Sequence, residues 1–310
     1  MLTFRYHLVT LVAVFLALAL GIVVGSTFVG PSVVESLQNQ VEDVSDTLDA
    51  RKAANDRLTA QNDALSESLL DASPWAGDTR LDGRSVLVVA DRGVREEVVD
   101  QTDLLLQQAG ATVPGTVWLD RSFALDDEAE QEALAEALGV PRSDAASLQR
   151  QAWRRVLRDL SQGAQPDGAT QALIDAGFLG FSPEGDGANQ LSDLADDQFQ
   201  VLLVSGADSD LGSSDHLEVM ADVLVAQGQP SVVAEDRRDR RDDERQGEVV
   251  ALVRDDPQRA AALSTVDDLG EISGRLAAVL AEAELGQGVV GHYGDGPGAQ
   301  GPLPEWPGTP

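Results

Sequence analysis

Cysteine is absent from the 310-residue chain. Disulfides, thiolate metal sites and thiol catalysis are therefore excluded, and the absence is compatible with an extracytoplasmic setting. Lysine is nearly absent too: Lys52 stands alone, and the remaining basic side chains are arginines. Histidine is scarce, at His7, His216 and His292, and only the last two fall outside the apolar N-terminal segment. No Ser-His-Asp spacing, His-Glu-x-x-His or Gly-x-Ser-x-Gly occurs. Positive charge is in short supply: 22 Lys and Arg face 53 Asp and Glu, a formal charge of −31 with a pI of about 4.1. Such a field repels nucleic acid and anionic lipid and attracts cations, so no nucleic-acid partner is expected. Among so many acids, selecting two as a glycosidase pair carries no information. No catalytic function is expected.

What the chain does contain is an apolar span that runs into a heptad repeat. Leu8 to Val29 is apolar apart from Thr10 and small polar residues near its end; at about 1.5 Å per residue it can cross a bilayer core. The run is longer than a signal-peptide core, and the candidate cleavage site Ala17-Leu18-Ala19 lies inside it, so an uncleaved anchor is favoured over a removed signal. Arg5 precedes the span, and no Lys or Arg comes after it until Arg51. The positive-inside rule then places the N-terminus in the cytoplasm and the bulk outside, a single-pass topology in contact with the lipid bilayer. Ala13, Ala17, Gly21 and Gly25 recur at steps of four, a stripe on which two membrane helices can approach closely; ordinary small-residue content is the alternative.

Gly30 and Pro31 break the span, and Ser32 can cap the next helix. Val34, Val41, Leu48, Asn55, Asn62 and Leu69 occupy a positions, and Leu37, Val44, Arg51, Leu58 and Leu65 occupy d positions. This is a two-stranded coiled-coil pattern in which asparagine at a fixes register and favours a parallel homodimer. The alternative is one amphipathic helix lying on its own globular domain.

The organisation expected is an anchor over 1–30, a parallel coiled coil over 31–73, a linker over 74–84, an extracytoplasmic domain over 85–286 and a Gly/Pro-rich tail over 287–310 with little regular structure. Within the domain, strands are expected at 85–90, 112–119, 200–204, 231–234 and 248–253. Helices are expected at 94–108, 127–138, 143–160, 167–176, 214–226 and 270–284, the third of them capped by Ser143. Alternation of this kind indicates an α/β fold with a mainly parallel sheet sandwiched by helices, Rossmann-like in type.

Ligands of open parallel sheets bind beyond the carboxyl ends of the strands. Those ends read Asp91, Asp120, Asp208 and Asp210, Glu235 and Asp236, and Asp255, a rim suited to a cation; solvated acidic turns are the favoured alternative. The loop from Gly206 to Gly212 lacks the Lys-Ser/Thr ending of a phosphate loop. It also lacks a calcium loop's twelfth-position Glu, since Val219 stands there. Asp215, His216 and Met220 are more specific: the last two are four apart on one helix face, and imidazole with thioether suits Cu(I). A surface histidine beside a core methionine is the bland reading. The Arg/Asp run from Asp236 to Arg245 reads as an exposed loop.

The opening from Tyr6 to Gly21 with Val24 and Gly25, and later Ser264 to Asp267, Gly274 with Arg275, and Gly291 to Gly294, resemble the actinobacterial copper transporter family, that of mycobacterial copper transport protein B. The resemblance spans nearly the whole chain in order: anchor, coiled coil, α/β domain, Gly-rich tail. It implies a membrane-anchored cell-envelope protein with a role in copper transport or homeostasis, copper as the possible ligand, and pore formation as proposed for the family. The residues themselves supply one apolar span without a polar face, which does not line an aqueous path, and no repeated barrel strands. If copper is held directly, His216 and His292 are the candidates. The other reading is a non-enzymatic dimeric scaffold or regulator that binds an envelope protein of the cell-wall or division machinery.

Overall fold

The computed structural model describes residues 2–28, 80–165, 167–183, 191–194, 199–237 and 247–304, together with helical residues between 40 and 59. Contacts divide the chain into one unit ending at Leu65 and another beginning at Ser66. The first holds α1 (Leu2–Phe28). Its segment Arg5–Gly25, of mean hydropathy 2.8, is long and apolar enough to cross a membrane. Residues 51–59 are also helical.

The second unit is built on a seven-stranded sheet of order β3-β2-β1-β4-β5-β6-β7. Its strands are β1 (Val86–Asp91), β2 (Gly115–Leu119), β3 (Leu179–Pro183), β4 (Gln200–Gly206), β5 (Ser231–Asp236), β6 (Ser264–Val266) and β7 (His292–Tyr293). All neighbours pair in parallel except β2 with β3. The helices are α2 (Glu96–Gln108), α3 (Glu128–Leu138), α4 (Ala145–Ser161), α5 (Ala169–Asp175), α6 (Asp215–Gln227), α7 (Glu248–Arg254), α8 (Pro257–Ala260) and α9 (Ile272–Leu285).

Alternation of side chains along each strand sends one set to each face. Leu87, Val89, Val117, Val201, Leu203 and Val233 pack with α3 to α7, whereas Val86, Val88, Leu202, Val204, Val232 and Val266 pack with α2 and α9. Coverage on both faces is why β1 and β4 read as unbroken apolar runs. The mainly parallel α/β sandwich expected from the sequence is what forms.

Several local expectations differ from the structure. Residues 248–253 form helix α7, not a fifth strand. A short β-branched run is ambiguous between the two states, and here Val249, Val250 and Val253 turn to one buried face. The buried Glu235 at the end of β5 accepts N–H bonds from Gly247 and Val250 and closes the helix start. Helix α4 is capped by Asp144, which accepts from Ser147 N at 2.9 Å, and not by Ser143. The Ser147 hydroxyl, which donates to the same carboxylate at 2.8 Å, and that backbone bond hold Asp144 below its usual range. Strand β3 carries Gly180 and Pro183; proline is tolerated because the strand is an edge. Strand β7 lies in the Gly-rich stretch expected to be irregular, where two residues paired to a buried neighbour suffice.

Candidate functional site at the carboxyl edge of the sheet

Strand β2 lies on one side of β1 and β4 on the other. The order reverses there, which makes the carboxyl ends of β1 and β4 the switch point where such sheets take ligands. The chain fills this crevice with its own side chains. Asp91, at the end of β1, is fully buried. Its carboxylate accepts from Ser205 Oγ at 2.6 Å and Ser209 Oγ at 2.8 Å. His216 Nε2 lies 3.1 Å from both of its oxygens. The loops behind β1 and β4 also join: Asp210 N donates to the Arg92 carbonyl at 2.7 Å. Gly93, at φ +95°, approaches so closely that a Cβ there would come within 2.2 Å of the Asp208 carbonyl.

The rest of the edge is a row of arginine–carboxylate pairs. Arg92 lies 4.7 Å over the Trp118 ring and reaches Asp120 at 3.3 Å and Glu96 at 3.4 Å. Arg95 grips Asp236 with two nitrogens, Nε at 3.0 Å, and this bond raises the arginine's pKa. Asp267, just beyond β6, is held by Arg254 Nη1 at 2.7 Å and Arg237 Nη1 at 3.4 Å. It also accepts the Asp295 and Gly296 N–H groups, each at 3.0 Å. Arg254 in addition binds Thr265 Oγ1, the Tyr293 carbonyl and the Pro297 carbonyl. One buried ion pair thus fastens the tail to the sheet. Burial pushes Glu235 up to about 7 despite its two backbone bonds, and pushes Asp268 up to about 6.

The other residues singled out from sequence are dispersed. His216 and Met220 both lie in the core of α6, the methionine fully buried among apolar side chains. Asp215, their neighbour, faces an open cleft of 660 Å³ with Ser214, Glu218, Glu248, Asp255 and Asp256. His292 is on β7, separated from β4 by β5 and β6. Its ring nitrogens meet Thr265 Oγ1 at 3.0 Å and the Ala260 carbonyl at 3.2 Å, and burial lowers its pKa. The structure therefore does not bring His216 and His292 together. Among the described residues, no three His, Asp or Glu side chains form a group able to hold a metal ion. Asp255 comes after helix α7 rather than a strand. Ala13, Ala17, Gly21 and Gly25 lie exposed on α1, and Asn55 is exposed within the helical 51–59 stretch; Asn62 falls outside the described residues.

Sequence reasoning named Asp91, Asp120, Glu235 and Asp236 on this edge but not Asp267, and it missed the arginine partners. Arg92, Arg95, Arg237 and Arg254 are far from most of those acids in sequence, and only the fold joins them. The short words that carry the family resemblance are parts of the same construction. Ser264 to Asp267 pairs with Gly291 to Gly294 as β6 and β7. Gly294, at φ +123°, leaves no space, since a Cβ there would come within 2.1 Å of Asp267 Oδ1. Arg275 Nη1 donates to the Leu269 and Gly270 carbonyls at 3.2 and 2.8 Å.

Curated relatives of similar sequence include mycobacterial proteins. The chain is 29% identical over 325 residues to copper transporter MctB of Mycobacterium tuberculosis (strain ATCC 25618 / H37Rv), covering 96% of this chain and 98% of that protein. It is 27% identical over 344 residues to copper transporter MctB of Mycobacterium leprae (strain TN), with the same coverage of 96% and 98%. Residues 1–304 match the family described as copper transport outer membrane protein, MctB, and the chain belongs to that family.

Proposed function

We propose that this chain serves copper transport or homeostasis as a membrane-anchored envelope protein, and that its α/β domain binds a partner rather than turning over a substrate. The copper role rests on the family and on the names of its relatives. The non-catalytic part rests on one observation: the switch point that would receive a ligand is occupied by Asp91, with Ser205, Ser209 and His216 each bonded to its carboxylate. Nε2 of His216 is taken up by Asp91, so copper ligation there would have to use Nδ1 of a 2%-exposed side chain, and Met220 is packed in the core. In this reading the domain acts as a scaffold or regulator, and any copper passes through the partner it positions.

The topology proposed is single-pass, with the N-terminus in the cytoplasm. Dimerisation is proposed through the heptads: Val41, Val44, Leu48 and Leu58 are all exposed apolar side chains in the single chain, and a parallel partner would cover them. In cells lacking the protein, copper content should be restored by the wild type and equally by His216→Ala and His292→Ala variants that fold. Loss of copper handling in either variant, with the fold intact, would assign the metal to that histidine and remove the scaffold reading. Protease added to spheroplasts should digest the domain; a protected domain would reverse the topology.

A further inference from the structure

Two neighbouring helices carry charge stripes of opposite sign and equal spacing. On α3, Glu128, Glu132 and Glu136 are exposed at steps of four, on a side turned away from the buried Leu134 and Leu138. On α4, Arg150, Arg154 and Arg158 repeat the same step, opposite Leu148, Ala152 and Val156; Arg154 and Arg158 are exposed and Arg150 is half-buried. At about 1.5 Å rise per residue, successive charges in both stripes stand about 6 Å apart. Like charges four apart on a helix destabilise it, so each stripe is a small internal cost. Three of the 22 basic residues of a −31 chain lie on this one face.

The stripes do not neutralise each other within the chain. Glu128 pairs with Arg142 at 3.2 Å, Arg155 turns to the Leu138 carbonyl, and Asp144 acts on Arg150. Among the described residues, Glu132, Glu136, Arg154 and Arg158 have no ion pair. We infer that these stripes meet across two copies of the chain, α4 of one lying against α3 of the other. Two-fold symmetry makes such a contact occur twice. An anionic bilayer is the less fitting occupant of the basic stripe, because the surrounding acidic field repels it, whereas a second copy brings the matching acidic stripe with it. Surface ion pairs are individually weak. The contact therefore needs the two domains already held close, which raises their effective concentration; the inference rests on the dimer proposed through the heptads.

The absence of cysteine permits a clean test. A single spin label at Ala133→Cys, beside the acidic stripe on α3, reports the distance between two domains in the detergent-solubilised full chain by pulsed dipolar resonance. The expected result is one narrow distance at low salt. It should broaden at least twofold in high salt, in Arg154→Glu/Arg158→Glu, and in Glu132→Arg/Glu136→Arg, and become narrow again when all four changes share one chain. A dipolar signal that is broad in the wild type, or narrow but indifferent to every reversal, overturns this contact and leaves the heptad dimer standing. No dipolar signal, with a monomer by light scattering, overturns both. Movement of the label only when phosphatidylglycerol nanodiscs replace detergent would give the stripe to the bilayer instead and overturn the contact.

Discussion

Asp267 and Glu282 are buried acids fifteen residues apart, and the two ends of the sheet treat them in opposite ways. At the carboxyl edge Asp267 meets two arginines and two backbone N–H groups. Toward the amino edge Glu282, on α9, is fully buried, and neither of its carboxyl oxygens has a hydrogen-bond partner among the described residues. The nearby Gln200 donates to the Glu282 backbone carbonyl and leaves its own Oε1 unpaired. Burial accordingly raises Glu282 to about 8, opposed only by Arg84. Burial drives a carboxyl toward its neutral form, and donors or a nearby cation oppose that drive. The edge with the donors is the one on which this sheet's ligand crevice lies, and the donors come from the chain itself.

The largest effect is expected at Asp267. Asp267→Ala leaves Arg254, whose side chain is 4% exposed, buried without its counter-ion and frees the tail. Loss of about 3–5 kcal/mol is expected for an orphaned buried charge, measured by urea unfolding, with protease cleavage after residue 286 in the native state. An unchanged midpoint would mean the ion pair is not what holds β7.

Glu282→Gln tests the other end, with the opposite sign. The folded chain keeps the Glu282 proton up to about pH 8, whereas the ordinary value is 4.5. The unfolded chain therefore binds fewer protons between those limits, and stability falls as pH rises through that window. Below 4.5 the contribution is intact; above 8 the loss is complete. The glutamine variant lacks this fall, so its advantage over wild type should grow from near zero at pH 4.5 to about 2–4 kcal/mol at pH 8. Parallel stability curves for the two proteins would show that Glu282 is ionised in the native state.

The smallest effect is expected at Gly294. A left-handed backbone with a Cβ against Asp267 should cost Gly294→Ala about 1–3 kcal/mol. The substitution should cost less once Asp267 is already alanine, because the clash with that carboxylate is gone while the backbone strain at φ +123° remains. Full additivity in the double variant would locate the strain elsewhere.

How far the sequence revealed this arrangement depends on the range of the interaction. The apolar span, the alternation of elements and the buried strands β1, β4 and β5 were readable because each is a local pattern. Helix α7 was misread because six residues rich in valine carry too little periodicity, and the carboxylate that starts it belongs to β5. Strands β6 and β7 are too short to show a pattern and exist through their neighbours. At the candidate site, Asp91 was visible as a strand end, and His216 as a helix residue. Their contact spans 125 positions and has no sequence signature. His216 and Met220 do share a helix, yet that face looks into the core, which spacing alone does not reveal.

The chain's own groups close the switch point between β1 and β4. A thermal melt of the full chain with nucleotides, Mg²⁺, Ca²⁺, Cu(I) and Cu(II) tests this closure most directly, because a ligand that binds the native state raises Tm by mass action. No ligand-dependent rise that involves these residues is expected, and Asp91→Asn should lose stability that no ligand restores. A rise with any one of these ligands that disappears in Asp91→Asn or His216→Ala would contradict the closure and make the crevice a binding site.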